Sequence, residues 1–397
     1  MSETAIPPKP ERLVALDAYR GFTMMCLVSG IFGMALWGSG NPGGYWDTFF
    51  KYQASHVTWT GCSLWDLIQP SFMFIVGVAM PYSYASRAAH GDSWALQFRH
   101  VVKRAVVLIL LGVFLRSAGR HYTYWTFEDV ISQIGLAYIF LFMTLGKGIK
   151  IQAIVTVCIL VGYYLLFALW PLPNEPVDAA AMGLPKDWNY FSGFAAHWNK
   201  GLNPAGYFDQ WFLNLFSQRK PWSFHPSGYV TLSFIPSMAT MLIGIMAGEH
   251  LRSDNALGKK IKHIALAGLG CLAFGLAVDG HIWPMVDWEW SIAPIVKKIW
   301  TPSFAIFSAG WTLLFLAAFL YVVDFKGYKK WAFPFVVVGM NSIAIYVMEG
   351  LLVRWVHGRL ETHFGWLMNE VVLELGVVFV LWYICYWMYK RKIFIRV

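Results

Sequence analysis

His56 and Asp66 stand in the run His-Val-Thr-Trp-Thr-Gly-Cys-Ser-Leu-Trp-Asp-Leu, His56 to Leu67, where a Gly-rich and aromatic connection (38–60) returns to the lip of an apolar segment. Ionisable groups at membrane depth are costly, usually face a cavity or a partner, and are default candidates for function. A carboxylate that holds one nitrogen of an imidazole fixes its tautomer and leaves the other nitrogen poised near neutral pH. Such a ring is a general base worth roughly 10²–10⁴-fold, or a transient nucleophile. The plainer alternative is an interface histidine satisfied by backbone. His121, His197, His225, His281, His357 and His363 are also expected on the outer side, so the context of His56 carries the signal, not the residue type.

Further polar groups interrupt apolar runs. Asp17 and Arg20 are spaced to share a helix face and pair, either as an inner-face anchor or as an anion site built on a guanidinium. Asp129, Ser132 and Gln133 form a polar stripe, and Asn341 and Ser342 open a run that continues to Tyr346 and Glu349. Each must find a hydrogen-bond partner or carry a desolvation cost. Interhelical bonding accounts for one or two of them; together they suggest a lined tunnel.

The elements that position these groups are membrane helices. The chain has 397 residues, 57% hydrophobic and 13% charged, well below the roughly 25% charged of soluble domains. About ten segments reach the roughly 20 residues that span a bilayer: 18–38, 65–86, 104–120, 129–146, 150–171, 229–249, 264–282, 301–323, 334–355 and 368–389. The expected fold is an all-α polytopic membrane protein, with a cytoplasmic segment 1–17 followed by one transmembrane domain, 18–397. Residues 1–17 read as the start of a signal anchor, not a cleaved peptide. Most of the 31 Lys and Arg fall on one side, which places both termini in the cytoplasm. The net charge of +9 then reflects topology and anionic lipid, not nucleic acid.

Pro70 and Pro81 bracket Gly77 in the second segment, a pattern for a bent helix with a close neighbour. The long outer connection 172–228, between the fifth and sixth segments, is rich in Pro and Trp and reads as a folded cap with one short helix near Phe208–Phe216. Its tryptophans suit either sugar stacking or an interfacial belt. The cysteines Cys26, Cys62, Cys158, Cys271 and Cys385 are scattered, so neither a disulfide framework nor a metal site is expected. No repeat is evident, which weighs against an inverted-repeat transporter.

These blocks resemble the membrane domain of the heparan-α-glucosaminide N-acetyltransferase family, from Arg12 to Ile395. Ala15-Leu16-Asp17 with Arg20-Gly21 matches its opening block. His56, Trp59, Gly61, Asp66, Leu67 and Pro70, followed by Phe74-Ile75-Val76-Gly77, match its histidine block. Gly339-Met340-Asn341-Ser342-Ile343 and Arg391-Lys392-Ile393-Phe394 match its closing blocks.

The resemblance implies a transmembrane acyltransferase of the bacterial plasma membrane, moving acetyl from cytoplasmic acetyl-CoA to an amino group, or a hydroxyl, of an extracytoplasmic glycan. His56 would be the catalytic histidine, oriented by Asp66. The inner rim Arg20, Lys103 and Arg104 would meet the phosphates, with Gln133, Asn341 and Ser342 toward the cofactor. Ser29, Trp59 and His225 are the candidates on the acceptor side. The sequence departs from the family at Val28-Ser29-Gly30, where Asn is usual. It departs again at His225-Pro226-Ser227-Gly228, against Asp-Pro-Glu-Gly, and at Ser132-Gln133, against Gln-Arg. The large outer domain of the animal enzyme has no counterpart, as expected of a bacterial relative. A homodimer remains open because nothing in the chain specifies an interface. The rival readings are a transporter of a glycan or small organic acid and a non-enzymatic scaffold.

Overall fold

The computed structural model describes residues 13–30, 43–172, 184, 188, 190–279 and 291–395. Among them the chain is helical with no strand. The helices are α1 (Val14–Val28), α2 (Tyr45–Gln53), α3 (Ile68–Ala89), α4 (Trp94–Ser117), α5 (Val130–Thr144), α6 (Ile149–Ala168) and α7 (Pro204–Phe212). They continue with α8 (Phe234–Leu251), α9 (Leu257–Asp279), α10 (Pro302–Phe319), α11 (Phe333–Gly339), α12 (Ser342–Phe364) and α13 (Glu370–Lys390). The start of the chain expected as a signal anchor, and His281, lie outside the described residues.

Side-chain caps start several helices where the sequence offers them. Asp129 accepts from the Ser132 amide, and Asn203 and Thr301 do the same for Gly206 and Phe304, each followed by a proline in the first turn for the latter two. By length and composition five helices could cross a membrane: α6, α8 with its leading turn, α9, α10 with its trailing turn, and α13. The α11–α12 pair makes a sixth, but it is bent by 81° at a short break, so the segment expected at 334–355 is not one straight helix. The apolar α5 is shorter than a span. Helices of this length and apolar composition are consistent with a membrane protein.

Close helix crossings hold the site's frame. A Cβ at Gly77 would lie 2.1 Å from the Met241 carbonyl oxygen, and one at Gly244 would lie 2.3 Å from that of Phe74. Glycines on both sides therefore bring α3 and α8 to backbone contact, the role expected of Gly77. Gly21 and Gly339 join α1 to α11 in the same reciprocal way. The main core gathers Met24, Phe72, Met73, Met241, Phe304 and Leu381 from these helices. The cap contains the expected short helix as α7 and a following turn. It is anchored by Trp198, which is 1% exposed.

Candidate functional site

The loop after α2 delivers His56, and a single 3-10 turn, Trp65–Leu67, leads into α3 and delivers Asp66. His56 Nδ1 lies 2.7 Å from Asp66 Oδ1. The carboxylate is 1% exposed, and its other oxygen accepts from the Val57 and Ser63 amides. It is thus held by the loop it orients. On the far side of the ring, the Trp65 indole Nε1–H donates to His56 Nε2 at 3.1 Å. An indole can only donate and an ionised carboxylate can only accept. His56 is therefore the neutral tautomer with its proton on Nδ1 and a lone pair on Nε2.

Lys297 completes the cluster, and sequence reasoning missed it. Its ammonium lies 3.3 Å from Asp66 Oδ1 and 3.2 Å from His56 Nδ1, and its side chain is 4% exposed. With Nδ1 carrying the ring proton, Lys297 donates to Asp66 and only abuts the imidazole. It arrives from 291–301, a segment tied to the His56 loop where the Gly61 amide donates to the Ile295 carbonyl at 2.9 Å. Trp300, at φ 50°, takes the left-handed backbone that turns this segment into α10. Burial, more than any charge, draws the His56 pKa below 6.5; the Asp66 bond opposes this, and Lys297 reinforces it. Burial likewise lowers Lys297, against the pull of Asp66. Lys298 donates to the Thr58 carbonyl at 2.6 Å, and burial brings it down to about 8.

His56, Trp65 and Lys297 open on a cavity of about 400 Å³ that is also lined by Gln69, Phe72, Arg116, Glu128, Asp129, Tyr229, Tyr346 and Glu349. A second cavity of about 690 Å³ is lined by Asp17, Arg20, Phe72, Arg87, Arg104, Tyr138, Ser342 and the tail residues Phe394 and Ile395. Phe72 lines both, is 5% exposed, and stacks on Tyr346 with ring centres 6.5 Å apart. The expected tunnel is thus two chambers sharing an aromatic wall.

The second chamber suits an anion. Arg20 is 3.8 Å from Asp17, the expected pair, and Arg87 is 3.3 Å from Asp92. Arg104 donates to the Tyr138 hydroxyl at 2.9 Å, yet its buried Nε–H has no hydrogen-bond partner. An unmet cationic donor facing a cavity fits phosphate. Arg87 is not among the candidates that the sequence offers.

Several expected site residues lie elsewhere. Lys103 is exposed and lines neither chamber, because it falls on a different face of α4 from Arg104. Gln133 is buried against Ser233 and Gln69 rather than facing a chamber. Asn341 is fully buried at the α11–α12 break, donating to the Ile393 carbonyl and accepting from the Ile395 amide. It pins the tail instead of lining the chamber as Ser342 does. Ser29 is buried with its hydroxyl on the Cys26 carbonyl, 3.4 Å away. Trp59 is packed in the cap's core and donates to the Trp198 carbonyl at 3.0 Å.

His225 is close to the site but not at the first chamber's lining. It stacks edge-on to Tyr229, which does the same to His56, and its Nε2 is 3.9 Å from Glu128 Oε1. Glu128 is also 3.3 Å from Arg116. A carboxylate thus reaches this motif from the residue before Asp129, although the motif itself carries none. Burial lowers His225 to about 4, and the nearby Arg116 adds to this.

No family model matches the chain. It is 24% identical over 437 residues to the human heparan-alpha-glucosaminide N-acetyltransferase, covering 99% of this chain and 61% of that protein. It is 24% identical over 433 residues to the mouse protein of the same name, covering 97% of this chain and 60% of that one. The chain therefore spans about three fifths of the length of these relatives. Similarity running through nearly the whole chain supports a family relationship with these N-acetyltransferases.

Proposed function

We propose that this protein is a membrane acetyltransferase that takes acetyl-CoA into the arginine-lined chamber and transfers the acetyl group to an acceptor in the His56 chamber. The observation that carries this reading is His56, paired with Asp66, lining a chamber that shares Phe72 with a guanidinium-rich one. Arg20, Arg87 and Arg104 would hold the phosphates, and the pantetheine arm would reach the acetyl group past Phe72. His56 would take the proton from an amine or hydroxyl as that atom attacks the thioester carbonyl; the C–S bond breaks and the thiolate leaves toward the arginines. The same lone pair would attack directly in a two-step route. The first choice of acceptor is an amino sugar on an extracytoplasmic glycan, the second a sugar hydroxyl, and the setting is a bacterial plasma membrane.

Two chambers that share one aromatic side chain in their linings also suit a carrier, which would move a glycan or organic acid without acyl chemistry. Purified protein in nanodiscs with acetyl-CoA decides. Saturation at about 100 times Kd should stabilise the fold by about 2.7 kcal/mol, and labelled acetyl should pass to a glucosamine-ended acceptor in native protein but not in His56→Ala. Label kept on His56 without acceptor identifies the two-step route. Absence of any thermal shift, with substrate accumulation intact in sealed proteoliposomes of His56→Ala, would establish the carrier instead.

A further inference from the structure

The lone pair that the proposed chemistry needs is already occupied. Trp65 Nε1–H points at His56 Nε2 from 3.1 Å, with the two rings nearly perpendicular at 75°. Trp65 also lines the His56 chamber, so its indole stands where an acceptor's N–H or O–H would have to arrive. The backbone fixes this arrangement. Ser63 and Leu64 lead into the turn, with the Ser63 hydroxyl donating to the Ser55 carbonyl at 2.6 Å and the Leu64 amide to Gln53 at 2.8 Å. His56 and Trp65 are thus carried by two ends of one braced loop, so side-chain rotation of the indole would free Nε2 without moving the backbone.

The geometry points to Trp65 as a guard on the base: its indole N–H stands in for the acceptor's donor and withholds His56 Nε2 from water until the acceptor displaces it. This rests on the acetyltransferase reading. Its value is chemical. A thioester beside an uncovered imidazole and water hydrolyses: water oxygen bonds to the carbonyl carbon, Nε2 takes the water proton, the C–S bond breaks, and the thiolate leaves with that proton. Acetate and free thiol result, and the acetyl group is lost to the acceptor. A bulky apolar ring with a single donor blocks this route and yields only to a competing donor that also fills the chamber. Trp65 is a positioning residue, since it acts through His56.

The charged and titratable groups facing His56 are Asp66 from its own loop, Lys297 and Lys298 from 291–301, and Tyr229 from the cap. Across the chamber stand Arg116 from α4, Glu128 and Asp129 before α5, and Tyr346 and Glu349 from α12. All are unchanged when Trp65 alone is replaced, so the ring's titration isolates the indole's contribution.

The test compares native protein with Trp65→Phe and Trp65→Gln, the latter carrying an N–H the same number of bonds from Cα as the indole. With acetyl-CoA and no acceptor, Trp65→Phe should release free thiol about tenfold faster or more, and Trp65→Gln should return part of the way to native. Independently, nitrogen-15 spectra of histidine-labelled protein, with His56 assigned from His56→Gln, should show the ring titrating at higher pH in Trp65→Phe, because a donor that favours the lone pair is gone. Unchanged hydrolysis together with an unchanged titration midpoint overturns the inference while leaving acetyl transfer standing. Native protein that neither binds nor cleaves acetyl-CoA removes the functional reading, and the midpoint alone then decides whether the indole covers the base.

Discussion

Lys297 sets the charge state of the His56 cluster. Its ammonium compensates Asp66, so the carboxylate orients the imidazole without drawing a proton onto it. With the His56 pKa below 6.5, the ring keeps its lone pair into mildly acidic solution, and the acid limb of acetyl transfer should lie below pH 6.5. Lys297→Met leaves the full charge of Asp66 on the ring, which favours the imidazolium. The acid limb should therefore move to higher pH, read from kcat/KM profiles of native and variant. The same change breaks a buried pair, a loss of up to about 3–5 kcal/mol, visible as a lower Tm. His56 and Asp66 were legible because an imidazole and a carboxylate at a membrane lip have few innocent explanations. Lys297 was not, because its partner is more than two hundred residues away in the chain and no local pattern marks a lysine as buried.

At the scale of elements, α3 does two jobs. Its leading turn holds Asp66, and its first turns place Phe72 between the chambers. Widening that side chain to Phe72→Trp should hold the wall shut, lowering kcat for transfer at least about tenfold while acetyl-CoA binding in the arginine chamber persists, measured by thermal shift. Phe72→Ala is a poorer probe, since removing a buried phenyl costs about 3–5 kcal/mol. The approximate places of the apolar helices and a close neighbour at Gly77 could be read from the sequence, while the identity of that neighbour, α8, could not. The break between α11 and α12 could not: Gly339-Met340-Asn341 looks like the interior of a span, and only the tail's hydrogen bonds to Asn341 show why the helix stops there. Lys103 and Arg104 are neighbours in sequence, and only the rotation of α4 separates the one that lines a chamber from the one that does not.

Across the whole molecule, the cap adds a balance of protons. Burial raises Asp209 to about 7 from 3.8, and its Oδ1 and the Thr231 hydroxyl are both buried without partners, an arrangement a protonated carboxyl would relieve. Stability from this group is full below pH 3.8 and is lost as pH rises through about 7. His225 acts oppositely: lowered to about 4, it contributes above pH 6.5 and its contribution fades as pH falls through about 4. The two slopes oppose one another over the same range, each up to about 1.4 kcal/mol per pH unit. Asp209→Asn should unmask a stability that rises from pH 4 to 6.5, and His225→Asn one that falls toward pH 7, both followed by thermal melts in nanodiscs. Neither group's environment was legible, since the cap's long connection gives no periodicity from which burial can be read. The Asn341 clasp has a consequence of its own. Phe394 and Ile395 are masonry of the arginine chamber, so the polypeptide beyond α13 is part of that chamber's wall. A protease nick after Lys392 would open one wall of that chamber while leaving every helix in place.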